Sequence, residues 1–227
     1  MKNFSTLLIA SLLFSISLSA QKEIEMELDA FDEIKVLDQI NVTLIKSDKN
    51  HAHITGDDTE KVSIKNKEGR LKIDMEADNF LDGNETNVTL YHTQDLSLID
   101  GNEGAKIVSE GTMESKYLTI RSQEGAKIHL AVNARNLDTK AVTGGEITVT
   151  GTAENQEVTV RTGGDYNAKD LSSNQTDVTI LAGGNAIVNV SDYVEANVTA
   201  GGTIEIYGNP ETVKEDKTFG GSIIIRQ

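Results

Sequence analysis

From residue 105 onward the chain alternates, with apolar side chains at every second position in short runs rich in Val, Ile and Thr. Glu146-Ile147-Thr148-Val149, Val158-Thr159-Val160, Val178-Thr179-Ile180 and Thr203-Ile204-Glu205-Ile206 are examples. A period of two in runs this short predicts strands with one buried side. No helical periodicity of useful length appears after residue 95. A small-residue pair punctuates the runs: Gly104-Ala105, Gly125-Ala126, Gly144-Gly145, Gly163-Gly164, Gly183-Gly184, Gly201-Gly202 and Gly220-Gly221. The first glycines are 21, 19, 19, 20, 18 and 19 residues apart, an internal repeat.

Aligned on that pair, the first apolar position reads Ile107, Ile128, Ile147, Tyr166, Ala186, Ile204, Ile223. The next inward position reads Ser109, Leu130, Val149, Ala168, Val188, Ile206, Ile225. Independent hairpins turning at Gly-Gly would need neither a fixed period nor a fixed apolar column. Equivalent residues stacked one per coil produce both. The pattern predicts an all-β, right-handed parallel β-helix (β-solenoid) over residues 101–227, with about 20 residues per coil and a glycine corner on each. Glycine reaches φ > 0 at little steric cost, and two small residues leave room for the coil above. At about 3.3 Å per residue and 4.8 Å per coil, seven coils make a rod roughly 30 Å long with a perimeter of about 65 Å. Tyr166 beside Ala186 reads as compensating volumes in the core; a pocket over Ala186 is the alternative.

Residues 21–100 lack the glycine column but still alternate, at Ile34-Val36, Val42-Leu44, Val62-Ile64, Leu71-Ile73-Met75 and Val88-Leu90. They predict a strand-rich section with some antiparallel pairing, continuous with the solenoid and shielding its first edge. Lys67-Glu68-Gly69-Arg70 has hairpin spacing, and Asp82-Gly83-Asn84-Glu85 reads as a polar loop. No Pro/Ser-rich linker divides the chain. At the other end, residues 222–227 predict a last strand whose apolar edge contacts another subunit or partner, unless Arg226 and a loop from Glu211 to Lys217 shield it.

Residues 1–20, MKNFSTLLIASLLFSISLSA, place one lysine before a short apolar run that ends in small residues. That is the layout of a secretory signal peptide, with cleavage expected before Gln21. The run is shorter than the ~20 residues a membrane span needs. No later segment approaches that length, so no direct membrane span is expected after cleavage. The chain has no cysteine, hence no disulfide framework and no lipidated Cys. Its 36 acidic and 21 basic residues give a formal charge of −15. Residues 21–100 hold 19 acids and 9 bases and residues 101–227 hold 17 and 11, so the charge is not an acidic tail. Nucleic acid and anionic lipid are poor partners for such a surface.

The order of motifs resembles a known family. Phe31-Asp32-Glu33-Ile34-Lys35-Val36, Val42-Thr43-Leu44, Ile54-Thr55-Gly56-Asp57, Gly69-Arg70-Leu71-Lys72-Ile73 and the Gly-Gly coils are similar to the "putative auto-transporter adhesin, head GIN domain" family of Gram-negative bacteria. The likeness runs over about residues 30–227. It implies a pectin-lyase-type β-helix without that superfamily's catalytic residues, and a role in cell adhesion. The implied location is the periplasm, the cell surface or the extracellular space. The implied partner is a surface glycan or an envelope or host protein. Nothing after residue 227 forms a membrane barrel, so self-export and direct anchoring are not expected.

Polysaccharide-active β-helices need acids and a base clustered on neighbouring coils. Arg161 and Asp165 flank one turn and Lys140 lies one coil away, each with a simpler role as a solvated turn residue. The calcium-binding pattern G-G-x-G-x-D fails, because Ile147, Tyr166 or Ile204 stands at its fourth position and Val149, Ala168 or Ile206 at its sixth. His51 and His53 share a strand face but supply only two ligands. Asn41, Asn87 and Asn197 open glycosylation sequons that strand alternation explains equally well. Outward Thr, Asn and acidic ladders suit sugars, although with no Trp the stacking platform is thin. No catalytic residue, cofactor or metal is assigned. The expectation is an exported, non-enzymatic adhesion or surface-interaction module. The alternatives are a carbohydrate-binding or polysaccharide-degrading protein, and a structural envelope component or a regulator acting on a partner.

Overall fold

The computed structural model describes residues 23–226; the expected signal peptide and its cleavage point lie outside them. Eight short strands come first: β1 (Ile24–Glu27), β2 (Glu33–Val36), β3 (Asn41–Lys46), β4 (His51–Gly56), β5 (Val62–Lys67), β6 (Arg70–Met75), β7 (Thr86–His92) and β8 (Leu98–Gly101). Five long ones follow: β9 (Lys106–Gln123), β10 (Lys127–Val142), β11 (Glu146–Arg161), β12 (Asp165–Ile180) and β13 (Asn185–Ala200). The chain closes with β14 (Thr203–Tyr207), β15 (Thr212–Phe219) and β16 (Ser222–Ile225). Strands make up 70% of the described residues, wound as about seven turns of a β-solenoid with about 19 residues each.

Each long strand is a whole coil: its first part continues the ladder of β3 and β14 on one face, and its later part the ladder of β8 and β15 on another. Face A runs β1, β4, β7, β3, then the first halves of β9 to β13, then β14 and β16. Face B runs β5, β6, β2, β8, then the second halves, then β15. Pairing is parallel from β3 and β8 to the last coil, and antiparallel only for β1/β4, β4/β7 and β5/β6. The hairpin spacing at residues 67–70 is the β5/β6 turn, with Glu68 at φ 54° and Gly69 at φ 86°.

The register confirms the apolar column and extends it. Ile107, Ile128, Ile147, Tyr166, Ala186, Ile204 and Ile223 pair in succession. The same column continues backward through Val42, Val88, Ile54 and Ile24. It thus crosses from coils with glycine corners into strands without them. Most of these side chains are fully buried, and each isoleucine so removed from water contributes roughly 1.5–3 kcal/mol. The facing column on β8 to β13 holds Ile99, Ile120, Thr139, Val158, Val178 and Ala196. Tyr166 reaches across between them, fully buried, and its hydroxyl accepts a hydrogen bond from Gln156 Nε2 on face B.

The two positions of each glycine pair have different jobs. At Val142-Thr143-Gly144-Gly145, Thr143 and Gly144 have φ of 51° and 72°, and Gly145 N donates to Val142 O at 3.0 Å. Two successive positive φ closed by such a bond are the signature of a type I′ turn. Arg161 to Gly164 repeats it. Here the turn corners a coil rather than closing a hairpin. A Cβ on Gly144 or Gly163 would meet nothing within 4 Å, so those positions are chosen for φ alone. A Cβ on Gly145 would lie 2.2 Å from Ser122 O of the preceding coil, and one on Gly164 2.3 Å from Ala141 O. These second glycines are required by close approach.

Coil length varies from 18 to 21 residues, and the surplus falls inside the long strands, between their face A and face B ladders. Register shifts fall between His129 and Ala131, between Thr148 and Gly151, and between Asn167 and Gln175. Ser109, expected as an inward position, sits at the first of these shifts, where its Oγ accepts from Ala131 N at 3.1 Å. Residues 211–217, read from sequence as a loop, lie mostly in β15, paired parallel on β13. Their alternation is masked because the inward positions below Ala196 and Val198 carry Glu215 and Lys217.

Replacing Gly163 by Ala should cost about 1 kcal/mol, the left-handed backbone penalty alone. Gly164→Ala should cost about 3 kcal/mol, because the added methyl strikes backbone that cannot move without parting two coils. Urea unfolding of both variants reads the difference; equal losses would remove the distinction between the two corner positions.

Candidate functional site

Where β10, β11 and β12 turn onto face B, the alternation slips by one and two successive side chains point outward. In β10 these are Arg135 and Asn136, lying between the buried Ala134 and Leu137. In β11 they are Glu154 and Asn155, between Ala153 and Gln156. The second of the pair falls in register from coil to coil: Tyr117, Asn136, Asn155, Gln175, Tyr193. Two residues on, again outward, comes Thr119, Asp138, Glu157, Asp177, Glu195, and then Lys214. The first column and the Thr119 to Asp177 part of the second line a groove of about 350 Å³ that runs across the strands, along the axis of the solenoid.

Its ends are aromatic and its middle is amide. Tyr117 is 60% exposed at one end. At the other, Tyr193 is anchored, donating its hydroxyl to Glu195 Oε2 at 2.8 Å with Lys214 Nζ 5.2 Å from the ring centre. Between them Asn155 Nδ2 donates to Asn136 Oδ1 at 3.1 Å, which orients both carboxamides. Beneath them lies a satisfied polar network inside the core. Thr176 Oγ1 donates to Gln156 Oε1 at 3.1 Å and pairs with Ser173 Oγ at 2.8 Å, and Ser173 reaches Asn189 O at 3.1 Å. Burial holds the Tyr166 phenol far above its ordinary range, against the opposing hydrogen bonds of Thr139 and Gln156, so this network stays neutral.

The acidic column is only partly compensated. Glu195 has Lys214 at 3.9 Å, whereas Asp138, Glu157 and Asp177 carry no ion pair among the described residues. Desolvation, and then the charge of Glu195 one coil above, hold Asp177 above the usual carboxylate range. A second carboxyl pair lies in the N-terminal part. Asp38 is buried and accepts from Met75 N at 3.0 Å, and burial followed by contact with Asp38 raises Glu103. It fastens the segment after β6 to the first coil.

The family model for "Putative auto-transporter adhesin, head GIN domain" (DUF2807) matches residues 30–210. The chain belongs to this family. A "putative adhesin" of Bacteroides fragilis superposes on the head GIN chain with a TM-score of 0.80 at 17% identity, covering 92% of this chain and 98% of that one. A "putative adhesin" of Parabacteroides distasonis has a TM-score of 0.73 at 18% identity, with 91% and 97% covered. A "putative lipid binding protein" of the same species has a TM-score of 0.70 at 17% identity, with 92% and 98% covered. At these identities the likeness is one of fold. Among curated proteins none matches.

The residues weighed from sequence do not meet in this head GIN solenoid. Lys140 stands between Arg121 and Thr159, Arg161 beside Val142, and Asp165 between Glu146 and Asn185, so they occupy three separate columns. His51 stacks on Tyr91, with ring centres 3.9 Å apart, and His53 lies 3.4 Å from Glu23. Among the described residues no group of three or more His, Cys, Asp or Glu is placed to hold a metal. Val42, Val88 and Val198 of the three sequons are buried, as alternation requires. The groove columns do not line up when the coils are counted from their glycines, because the coils differ in length before face B. Aligned on face B, the chain reads Asn136-Leu137-Asp138, Asn155-Gln156-Glu157, Gln175-Thr176-Asp177 and Tyr193-Val194-Glu195, and that repeat was the available signal.

Because the folded state raises the Asp177 pKa, its ionised form costs stability above that pKa, and the cost is relieved as pH falls through it. Asp177→Asn should therefore raise the thermal unfolding midpoint at pH 7, with the gain shrinking to nothing below the carboxylate range. A gain that persisted at pH 3 would point to a different cause.

Proposed function

We propose that the chain is an exported, non-enzymatic adhesion module that holds its ligand along the face B groove. The observation that supports this most is the convergence of polar and aromatic side chains from five successive coils on one lateral groove. A solenoid presents such a surface rigidly, since every coil is fixed by the next. Membership of the head GIN family agrees with adhesion, and the composition of residues 1–20 with export. No helix among the described residues is long and apolar enough to cross a membrane.

The acids argue for binding rather than cleavage. Glycoside hydrolysis uses two carboxyl groups flanking the scissile bond. Here Asp138, Glu157 and Asp177 stand in single file along one wall. Beads coated with the protein should adhere to cells, and beads carrying Tyr117→Ala/Tyr193→Ala should adhere about tenfold less with the fold intact by circular dichroism. Equal adhesion by the double variant, or release of reducing ends from a polysaccharide by the wild type, would defeat this reading.

The last coil favours contact with a second copy. Its two strands differ: β15 has Glu215 and Lys217 at inward positions, whereas β16 offers Ile223 and Ile225 with no inward charge. Ile225 is 48% exposed and Phe219 76%. Arg226 is bonded to Glu205 at 3.0 Å, and β15 carries Glu215 and Asp216 beside Lys214 and Lys217, so this end is close to neutral, while the opposite edge strand β1 carries Glu25 and Glu27. Ile24 of β1 and Ile223 of β16 occupy the same apolar column, so end-to-end contact continues the core. Sedimentation should show concentration-dependent association that Ile225→Lys abolishes. A monomer at every concentration would refute it.

A further inference from the structure

We propose that the face B groove binds an extended glycan chain without acid groups, laid along the solenoid axis from Tyr117 to Tyr193; this rests on the groove being the adhesive site. Length is the first argument. The two rings are four coil spacings apart, about 19 Å. A single sugar ring cannot touch both, so the ligand that uses the whole groove is a chain. Tyrosine offers a rigid flat face with a polar tip, suited to the C–H faces and hydroxyl edges of a sugar.

The floor sets the chemistry. Sugar hydroxyls both donate and accept hydrogen bonds, and so do carboxamides. The Asn155 to Asn136 bond consumes one donor and one acceptor. Asn155 Oδ1 therefore stays available, and the Gln175 carboxamide makes no side-chain hydrogen bond among the described residues. Carboxamide donors and acceptors recur on the three middle coils, matching a ligand that is itself a repeat.

The acidic wall sets the charge. Asp138, Glu157 and Asp177 lie alongside the amides with no ion pair among the described residues, so uronate, sulfate or phosphate groups on the ligand would be repelled at the three middle coils, while Lys116 and Lys214 stand only beside the end rings. Neutral sugars are accepted and amine-bearing sugars attracted. A peptide suits the site poorly, because strand addition needs free backbone N–H and C=O groups. The groove crosses strands already paired on both sides.

The test is calorimetric titration of the full chain with four probes: the neutral hexamer of N-acetylglucosamine, its deacetylated hexamer, the N-acetylglucosamine dimer and the galacturonic acid hexamer. Both neutral and deacetylated hexamers should bind, the dimer about tenfold more weakly, and the acidic hexamer not at all. Tyr117→Ala, at an exposed position, should weaken the neutral hexamer about tenfold without shifting thermal unfolding. Asp138→Asn/Glu157→Gln/Asp177→Asn should admit the acidic hexamer. The proposal is overturned if the acidic hexamer binds the wild type as well as the neutral one, if the dimer matches the hexamer, or if Tyr117→Ala binds unchanged. It is also overturned if neither these nor cellulose, xylan and mannan hexamers bind. Should no hexamer bind while Tyr117→Ala still lowers bead adhesion to cells, the glycan inference fails and the adhesive reading stands. If both assays are blank, both fall.

Discussion

The distance between neighbouring coils governs everything else in this molecule. Parallel backbone pairing sets that spacing at about 4.8 Å. At the corners it leaves no room for a Cβ on Gly145 or Gly164, and in the interior it brings like aliphatic side chains into continuous contact. No single coil has a core of its own, because each inward isoleucine is covered chiefly by its counterparts above and below. The same spacing turns outward residues into columns. A groove assembled from five coils exists only because every coil keeps its register with the next.

The parts of the fold legible in the sequence are those tied to the period. Glycine pairs mark the corners, and aligning them exposes the Ile107 to Ile223 column that the pairing confirms. The backward extension of that column through Val42, Val88, Ile54 and Ile24 was not legible. Those strands arrive out of chain order, with β7 between β3 and β4, and two of the pairings are antiparallel. Nor was the groove, since coils of unequal length lose their alignment beyond the bend when counted from the glycines. β15 was hidden for another reason: charges at its inward positions erase the alternation by which a strand is recognised.

Polarity is layered across face B. Gln156, Thr176 and Ser173 are buried yet hydrogen-bonded to one another and to Tyr166, which removes the penalty of isolated polar groups in the core. One layer outward, the Asn136 and Asn155 amides are half satisfied by each other. At the surface the carboxylates of Asp138 and Glu157 face water with like neighbours. The tyrosine that interrupts the aliphatic column on face A thus supports the polar floor of the opposite face.

Among the described residues the long coils differ in length in the stretch between the face A and face B ladders, and the register on either side is recovered within a few residues. Extra residues inserted there would bulge outward beside the rim without disturbing either wall. Whole coils, by contrast, enter or leave between corners and change the reach of the rim in fixed steps. The architecture therefore separates two kinds of variation, one adjusting local shape and the other overall span, and lets a lineage alter each independently of the other.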